Sequence, residues 1–270
     1  MGRLSEYLAR HESENNLPLA VVGELADQHY DTAELLLAID TGGSPQAAIL
    51  WTPPFNLLLS FGNEPAALEV LLADLLARGL VPPGVTGPEP EAGRAASWLA
   101  TETGTVAELR VRQGVYRLEQ VTTEQRGSGA MRELQQADAA TFVPWLAAFN
   151  EEVGKTVQTA AEQWRRFIDL PARRLVVLEV ASRAVCLVGI GGSTPNGRRI
   201  GPVYTPPEHR QRGHAEALVA RVCEQLLAAG NEFCFLYTDL DYATSNSVYR
   251  RVGFEMILES AEYSLLATAD

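Results

Sequence analysis

The chain has 270 residues, of which 46% are hydrophobic and 21% charged, a composition typical of folded proteins with one large or two ordinary domains. Its formal net charge is −12 and its sequence pI is about 4.9. This acidic balance argues against nucleic acid as a partner, because phosphate backbones are bound by basic surfaces.

The N-terminal residues and the cysteines indicate the expected compartment. The segment Met1-Gly-Arg-Leu-Ser-Glu6 has charged residues at its third and sixth positions, and no run of about 18 apolar residues follows. We therefore expect a cytoplasmic protein without a signal peptide or membrane span. Cys186, Cys223 and Cys234 have no Cys-x-x-Cys spacing and are expected to be reduced. No histidine lies at ligand spacing from a cysteine, so no metal is predicted.

The first half of the chain has a mixed order of predicted helices and strands. Apolar residues at helical spacing predict helices, and short apolar or alternating runs between turn residues predict strands. The predicted elements are a helix at 4–15, strands at 34–40, 47–52 and 57–61, helices at 65–77 and 89–100, and a long strand at 106–121.

The stretch Gln125-Arg-Gly-Ser-Gly-Ala130 breaks this pattern with glycines and a serine, which are typical of a flexible joint. We therefore predict a domain boundary here, with one domain at 1–126 and a second at 127–270. Both halves are predicted to be α/β units of similar plan, although no direct sequence repeat relates them. The second half continues with predicted helices at 138–149 and 160–170 and strands at 175–180, 185–190 and 200–204.

The segment after the strand at 200–204 carries the clearest chemical signal. Pro206 and Pro207 end the strand, a basic turn follows at 210–214, and a helix with apolar residues at helical spacing then begins. Such a helix presents unpaired N–H groups and partial positive charge, and Gly213 lets an anion approach the backbone. The pattern favours pyrophosphate binding, although an ordinary strand–turn–helix with surface arginines would share it.

Two motifs in this order resemble those of the GCN5-related N-acetyltransferases. Arg210-x-x-Gly213-x-Ala215 is similar to the family's pyrophosphate loop, and Thr244-Ser-Asn-Ser-Val-Tyr-Arg-Arg-Val-Gly-Phe254 is similar to its third conserved block. The resemblance implies an α/β (α+β) fold, a mixed and mostly antiparallel twisted sheet flanked by helices, with acetyl-CoA at the strand–turn–helix. It implies contacts to the coenzyme from Val203, Tyr204, Arg210, Gln211, Arg212, Gly213, His214, Ala215, Asn246 and Tyr249.

Acetyl transfer from a thioester to an amine requires a neutral amine, a polarised carbonyl and a proton for the departing thiolate. By the resemblance, Tyr249 donates that proton, and Asn246, one helical turn earlier, contacts the coenzyme arm. The ordinary alternatives are a core aromatic for Tyr249 and a helix N-cap for Asn246. Glu152, just after the first helix of the second domain, is the candidate base, with a solvated acid at a helix end as its alternative.

The first half lacks the phosphate motif. Gly62-Asn-Glu-Pro65 follows the predicted strand at 57–61, and a carboxylate at that helix N-terminus would occupy the position of an anion. The layout resembles the degenerate first domain of tandem acetyltransferases. We expect that it binds no acetyl-CoA and that it supports the second domain or shapes the acceptor cleft.

The sequence thus predicts an acetyl-CoA-dependent N-acetyltransferase that acts on a small-molecule or protein amine. Two alternatives stay open: a sensor or scaffold that holds acetyl-CoA without turnover, and a transferase for another acyl-CoA, since the motifs recognise the coenzyme rather than the acyl group. A homodimer also stays open, and neither nucleic acid nor a membrane is an expected partner. The acceptor depends on loops that diverge freely within such folds.

Overall fold

The computed structural model describes residues 2–26, 32–124, 127–154 and 157–268. In the described ranges, the helices are all too short or too polar to cross a membrane.

The chain forms two compact units that differ in extent from the predicted domains. The first unit comprises Met1–Val115, Thr238–Asp241 and Met256–Asp270, and the second comprises Tyr116–Tyr237 and Tyr242–Glu255. The C-terminal segment therefore belongs to the first unit, whereas the division into domains 1–126 and 127–270 assigned it to the second.

The predicted joint at 125–130 is described only in part. Gln125 and Arg126, where the boundary was placed, lie outside the described residues. The roles assigned to the two predicted domains stay predictions.

Helices and strands are intermixed along the described chain. The first part contains α1 (Gly2–Ala9), α2 (Asn16–Ala26), β1 (Glu34–Ile39), β2 (Pro45–Trp51), β3 (Leu57–Leu59), α3 (Pro65–Ala77), β4 (Gly84–Pro88), α4 (Glu91–Thr103) and β5 (Thr105–Leu118). The second part contains β6 (Ala130–Glu133), α5 (Ala139–Glu152), α6 (Ala160–Asp169), β7 (Arg174–Val180), β8 (Arg183–Ser193), β9 (Gly197–Tyr204), α7 (His214–Ala228), β10 (Phe233–Asp239), α8 (Ala243–Val252) and β11 (Glu255–Ala267).

The first unit has the strand order β1-β2-β3-β4-β11-β5. Strands β3 and β4 pair in parallel, whereas β2 pairs antiparallel with both β1 and β3, and β11 pairs antiparallel with β4. Alternation along β2 sends Ile49 to a core shared with α3 and α4, and Leu50 to a core shared with α1 and α2. This sheet is therefore covered by helices on both faces.

The second unit has the strand order β10-β9-β8-β7-β6, in which only the β10–β9 pair is parallel. Alternation along β7 sends Val176 and Leu178 to the core shared with α7 and α8, and Leu175 and Val177 to the core shared with α5 and α6. The predicted fold class, mostly antiparallel mixed sheets flanked by helices, is confirmed.

Candidate active site

The neighbouring parallel strands β9 and β10 pair over only the first part of their length. Their pairing runs from Phe233↔Gly197 to Phe235↔Arg199, yet β9 continues to Tyr204 and β10 to Asp239. In the described chain, the main chain of 200–204 therefore has no ladder partner on the β10 side. The resemblance places the pantetheine arm of acetyl-CoA against this part of β9.

A bulge in β9 accompanies this separation. Val188 pairs with Val203 and Ile190 pairs with Ile200. Between these two pairs β9 contains one residue more than β8, which defines a bulge. Gly189 lies opposite the bulge, and a Cβ added there would come within 2.6 Å of the Gly201 carbonyl oxygen. Only glycine lets the two backbones approach this closely.

The turn between β9 and α7 points its amides away from the chain. Gln211 and Gly213 both have left-handed φ angles, 60° and 76°, and Gly213 is the N-cap of α7 without a side-chain cap. Among the described residues, none accepts a hydrogen bond from the amides of 211–216. These six amides thus lie at the positive end of a 15-residue helix, and helix N-termini of this kind bind phosphate groups.

Arg210 connects this turn to neighbouring residues of the second unit through hydrogen bonds and a ring contact. Its Nε donates to the Thr205 carbonyl at 2.8 Å, its terminal nitrogen donates to the Glu152 carboxylate, and its guanidinium lies 5.9 Å from the Tyr204 ring centroid. The hydrogen bond from Arg210 to Glu152 is the main reason that the pKa of Arg210 is raised. In turn, the Tyr204 ring meets Trp145 of α5 edge-on, with 5.9 Å between ring centroids.

The other predicted residues of the turn differ in exposure. Gln211 and Arg212 are exposed, whereas Gly213, His214 and Ala215 are half-buried. Burial, together with the neighbouring His209 and Arg212, lowers the pKa of His214, so its imidazole is neutral at pH 7. A small residue at Ala215 keeps the first turn of α7 uncrowded.

Tyr249 lies in the core between the sheet and α7. It is 8% exposed, and its ring meets Phe254 edge-on at 6.0 Å between centroids. Burial, and secondarily the nearby thiols of Cys186 and Cys223, raises the pKa of Tyr249. The phenol therefore keeps its proton at neutral pH and is available as a donor.

Asn246 occupies the fourth position of α8, one turn before Tyr249 and buried with it. Its Nδ2 donates to the Tyr242 carbonyl at 3.1 Å. Because α8 begins at Ala243, the alternative interpretation of Asn246 as a helix N-cap is wrong. Its role toward the coenzyme stays a prediction.

One charged residue at the start of α7 was not among the site residues predicted from the sequence. Glu216, in the first turn of α7, is 9% exposed and accepts hydrogen bonds from Arg251 Nε and Thr123 Oγ1, both at 2.7 Å. Burial tends to raise the pKa of Glu216, but these two hydrogen bonds outweigh it and the pKa is lowered. An acid at the third position of a helix was the available signal.

The corresponding helix of the first unit has a carboxylate at its N-terminus. Glu64 is the N-cap of α3, and its carboxylate accepts a hydrogen bond from the Ala67 amide at 2.7 Å. Pro65 at the first helical position has no N–H to offer. The carboxylate predicted to occupy the anion's position is therefore found there.

Among the described residues, no group of three or more histidine, cysteine, aspartate or glutamate side chains is placed to hold a metal ion.

The comparisons with known proteins bear on the family and the fold. Residues 192–263 match the family model of the FR47-like proteins, and no curated protein matches the chain. A GCN5-related N-acetyltransferase from Kribbella flavida is similar over 92% of this chain and 95% of its own, with a TM-score of 0.57 and 16% identity.

Two further solved structures share the fold over nearly the whole chain. A Drosophila protein gives a TM-score of 0.66 at 12% identity, over 98% of this chain and 89% of its own. A GCN5-related N-acetyltransferase-like protein from Streptococcus suis gives 0.51 at 15% identity, over 98% and 99%. The FR47-like segment contains both sequence motifs, and the chain shares its fold with solved structures of GCN5-related N-acetyltransferases.

Proposed function

We propose that the protein transfers an acetyl group from acetyl-CoA directly to an amine. The observation that carries this proposal is the turn at 210–215, where six amides without an acceptor among the described residues open α7 beside the separated ends of β9 and β10. A diphosphate at the turn and an extended arm along 200–204 would use both features. Val203 and Tyr204 would pair with the arm, and 211–216 would hold the diphosphate.

The side chains around the turn fit an anion. Gly213 adopts its left-handed φ without strain, and no side-chain cap competes for the amides. The Glu216 carboxylate lies in the same first turn, but its two hydrogen bonds turn it toward Arg251 and Thr123. Arg212 is exposed at the turn and supplies a positive charge.

The reaction is a direct displacement at the thioester. The amine nitrogen attacks the acetyl carbonyl carbon, the C–N bond forms, the C–S bond breaks, and the sulfur takes a proton. We assign that proton to the Tyr249 phenol, because a buried phenol with a raised pKa stays protonated until a thiolate develops nearby. The proton lost by the amine goes to water or to a nearby carboxylate, and Glu152 is the candidate base.

The first unit is proposed to bind no acetyl-CoA. At α3, the Glu64 carboxylate already takes the Ala67 amide and Pro65 removes another donor, whereas Gly213 leaves the α7 amides open. One molecule of acetyl-CoA per chain is therefore expected.

Thiol release from acetyl-CoA with a panel of amines tests the proposal. We expect an amine-dependent rate in the wild type and a loss of about 100-fold in kcat in Tyr249→Phe, with an unchanged Kd for acetyl-CoA. Tyr116→Phe is the matched control, because Tyr116 is a buried phenol of the same core whose oxygen accepts a hydrogen bond from Arg250. It should keep the wild-type rate.

Other outcomes would point to the two alternatives. Acetyl-CoA binding without thiol release above hydrolysis for any amine would favour a sensor or scaffold. Faster turnover with succinyl-CoA than with acetyl-CoA would assign another acyl donor. A Tyr249→Phe variant with the wild-type kcat would remove Tyr249 from the mechanism.

A further inference from the structure

The exposed large apolar side chains of the second unit lie at one end of its sheet. Among its described residues, these side chains are Val153, Val157 and Tyr242, which are 48%, 55% and 50% exposed. Tyr242 is the N-cap of α8 and follows the carboxyl end of β10. The turn before α7 follows the carboxyl end of β9, which runs parallel to β10, so Tyr242 and the turn share one end of the sheet.

The two valines lie at the end of α5 that contacts this turn. Val153 is the C-cap of α5 and directly follows Glu152, whose carboxylate accepts the hydrogen bond from Arg210 of the turn. Val157 lies in the short connection that leads from α5 to α6, two helices that share one core. Val153 and Val157 together are called the apolar rim below.

One flank of α5 connects the apolar rim to the strand that the coenzyme arm is proposed to follow. Trp145 and Glu152 are two helical turns apart and therefore lie on the same side of α5. The Trp145 ring meets the Tyr204 ring edge-on, and Glu152 binds Arg210. This flank therefore faces the end of β9, and the apolar rim lies just beyond it.

The apolar rim is combined with negative charge. Glu151 and Glu152 immediately precede Val153, and both are exposed. The carboxylates attract an ammonium group, whereas the valines favour contact with an apolar group that leaves water. A primary amine on an apolar chain is complementary to both features, since it is cationic at one end and hydrophobic at the other. A polar substituent at the valines would lose hydration without gaining a hydrogen bond.

We propose that the apolar rim selects the acceptor, which is a primary amine carried on an apolar chain or ring. This inference rests on the proposed function, because the rim acts on an amine that attacks the thioester. The apolar part lies on Val153 and Val157, and the nitrogen reaches the arm at 200–204 along the flank of α5. The net charge of −12 favours the same cationic class of acceptor.

A series of unbranched alkylamines from ethylamine to octylamine tests the apolar rim. Thiol release is measured at saturating acetyl-CoA, and kcat/KM is determined for each amine. These amines have nearly the same pKa, so the length of the apolar chain is the property that changes. We expect kcat/KM to rise about twofold per methylene, mainly through KM, because a chain on an open surface is covered on one side only.

Replacing the valines by serine separates the apolar rim from the rest of the site. Val153→Ser and Val157→Ser should each flatten the dependence on chain length and lower kcat/KM for octylamine about fivefold. The rate with ethylamine and the Kd for acetyl-CoA should stay unchanged, which also shows that the variants are folded. Val157→Leu keeps an apolar side chain and should retain the dependence.

Val81→Ser is the matched control. Val81 is 51% exposed and lies in a connection between two elements, as Val157 does, but it belongs to the first unit. This variant should reproduce the wild-type series.

The outcomes distinguish the apolar rim from the enzyme itself. A rise with chain length that both serine variants lose supports the rim. Equal kcat/KM along the wild-type series, or a rise that persists in the Val153→Ser/Val157→Ser double variant, overturns the rim but leaves the transferase standing. A weaker Kd for acetyl-CoA in the serine variants would assign the valines to the coenzyme and overturn the rim as well. Absence of thiol release with every amine overturns the proposed function and the rim with it.

Discussion

The guanidinium of Arg210 donates a hydrogen bond to the carboxylate of Glu152, which joins the end of α5 to the turn that begins α7. The residue predicted as a general base is therefore paired with the first residue of the phosphate motif. Its negative charge lies beside the point where a diphosphate would bind. This position gives Glu152 a measurable effect on coenzyme affinity, whatever its part in proton transfer.

Replacing Glu152 by glutamine should tighten acetyl-CoA binding. The change removes a negative charge near the proposed diphosphate site and weakens the hold on Arg210, although the glutamine oxygen can still accept a hydrogen bond from it. Because both side chains are more than one third exposed to water, we expect only a two- to fivefold decrease in Kd, or roughly 0.5–1 kcal/mol. Calorimetric titration at low and high salt measures it, and salt should reduce the difference.

Glu151→Gln is the control for this prediction, since Glu151 is an adjacent exposed acid. It should shift Kd less than Glu152→Gln. If Glu152→Gln instead left Kd alone and abolished kcat, the residue would act as the base, and the pairing with Arg210 would be incidental to catalysis.

The buried carboxylate of Glu216 should make the protein sensitive to acid. Its pKa is lowered in the folded protein, so its contribution to stability is present above the ordinary glutamate pKa and is lost as pH falls through the folded value. Arg251 is about half exposed, and we therefore expect Glu216→Gln to cost only about 1 kcal/mol at pH 7.

Urea unfolding across pH 7 to pH 3 measures this contribution. The difference between wild type and Glu216→Gln should shrink steadily below about pH 4.5. Glu224→Gln, on the same helix, is the control for a general effect of charge. A difference that stayed constant down to pH 3 would show that Glu216 acts through shape rather than through its charge.

The three thiols should be inert in the native protein. Cys186, Cys223 and Cys234 are all buried, and burial raises the pKa of Cys186 to about 12. Since only the thiolate reacts readily, iodoacetamide at pH 8 should label none of them within minutes, and all three after unfolding in guanidinium chloride. Mass spectrometry counts the labels. Rapid native labelling of Cys186 would mean that the core around Tyr249 opens to solvent.

Local sequence patterns predicted the elements whose ends are set by their own residues. The helix at 65–77 is α3 with those bounds, because Pro65 favours its first position and Gly79 follows its end. The turn before α7 was predicted for the same reason, since Pro206 and Pro207 restrict the backbone and Gly213 permits a left-handed φ. Such signals lie within a few residues of the structure that they determine.

The predicted helix at 4–15 is confirmed only over its first part, and a contact distant in sequence accounts for its early end. Helix α1 ends at Ala9, and the Asn15 side chain donates to the Leu8 carbonyl at 3.1 Å and accepts from the Phe61 amide at 2.7 Å. An asparagine side chain that binds backbone groups competes with helical hydrogen bonds. Helical periodicity does not show this competition.

The sequence also did not predict which distant strands pair or which residues share a face of the sheet. Strand β11 pairs with β4, with Ser260 opposite Pro88, and neither strand carries a signal for the other. Arg173 lies over Gly191 of β8, which pairs with Arg199, and this neighbourhood is set by the register of β8 and β9. The candidate coenzyme site could thus be predicted from motifs, whereas the register of distant strands could not.

Calorimetric titration of acetyl-CoA into wild type, Gly213→Glu and Gly230→Glu tests the coenzyme site most directly. Gly213 and Gly230 flank opposite ends of α7, and both have left-handed φ angles, 76° and 99°, so each substitution strains the backbone similarly. One site per chain is expected, with affinity lost by at least about tenfold in Gly213→Glu and kept in Gly230→Glu. Two sites per chain, or a Gly213→Glu variant that binds as the wild type does, would contradict the account.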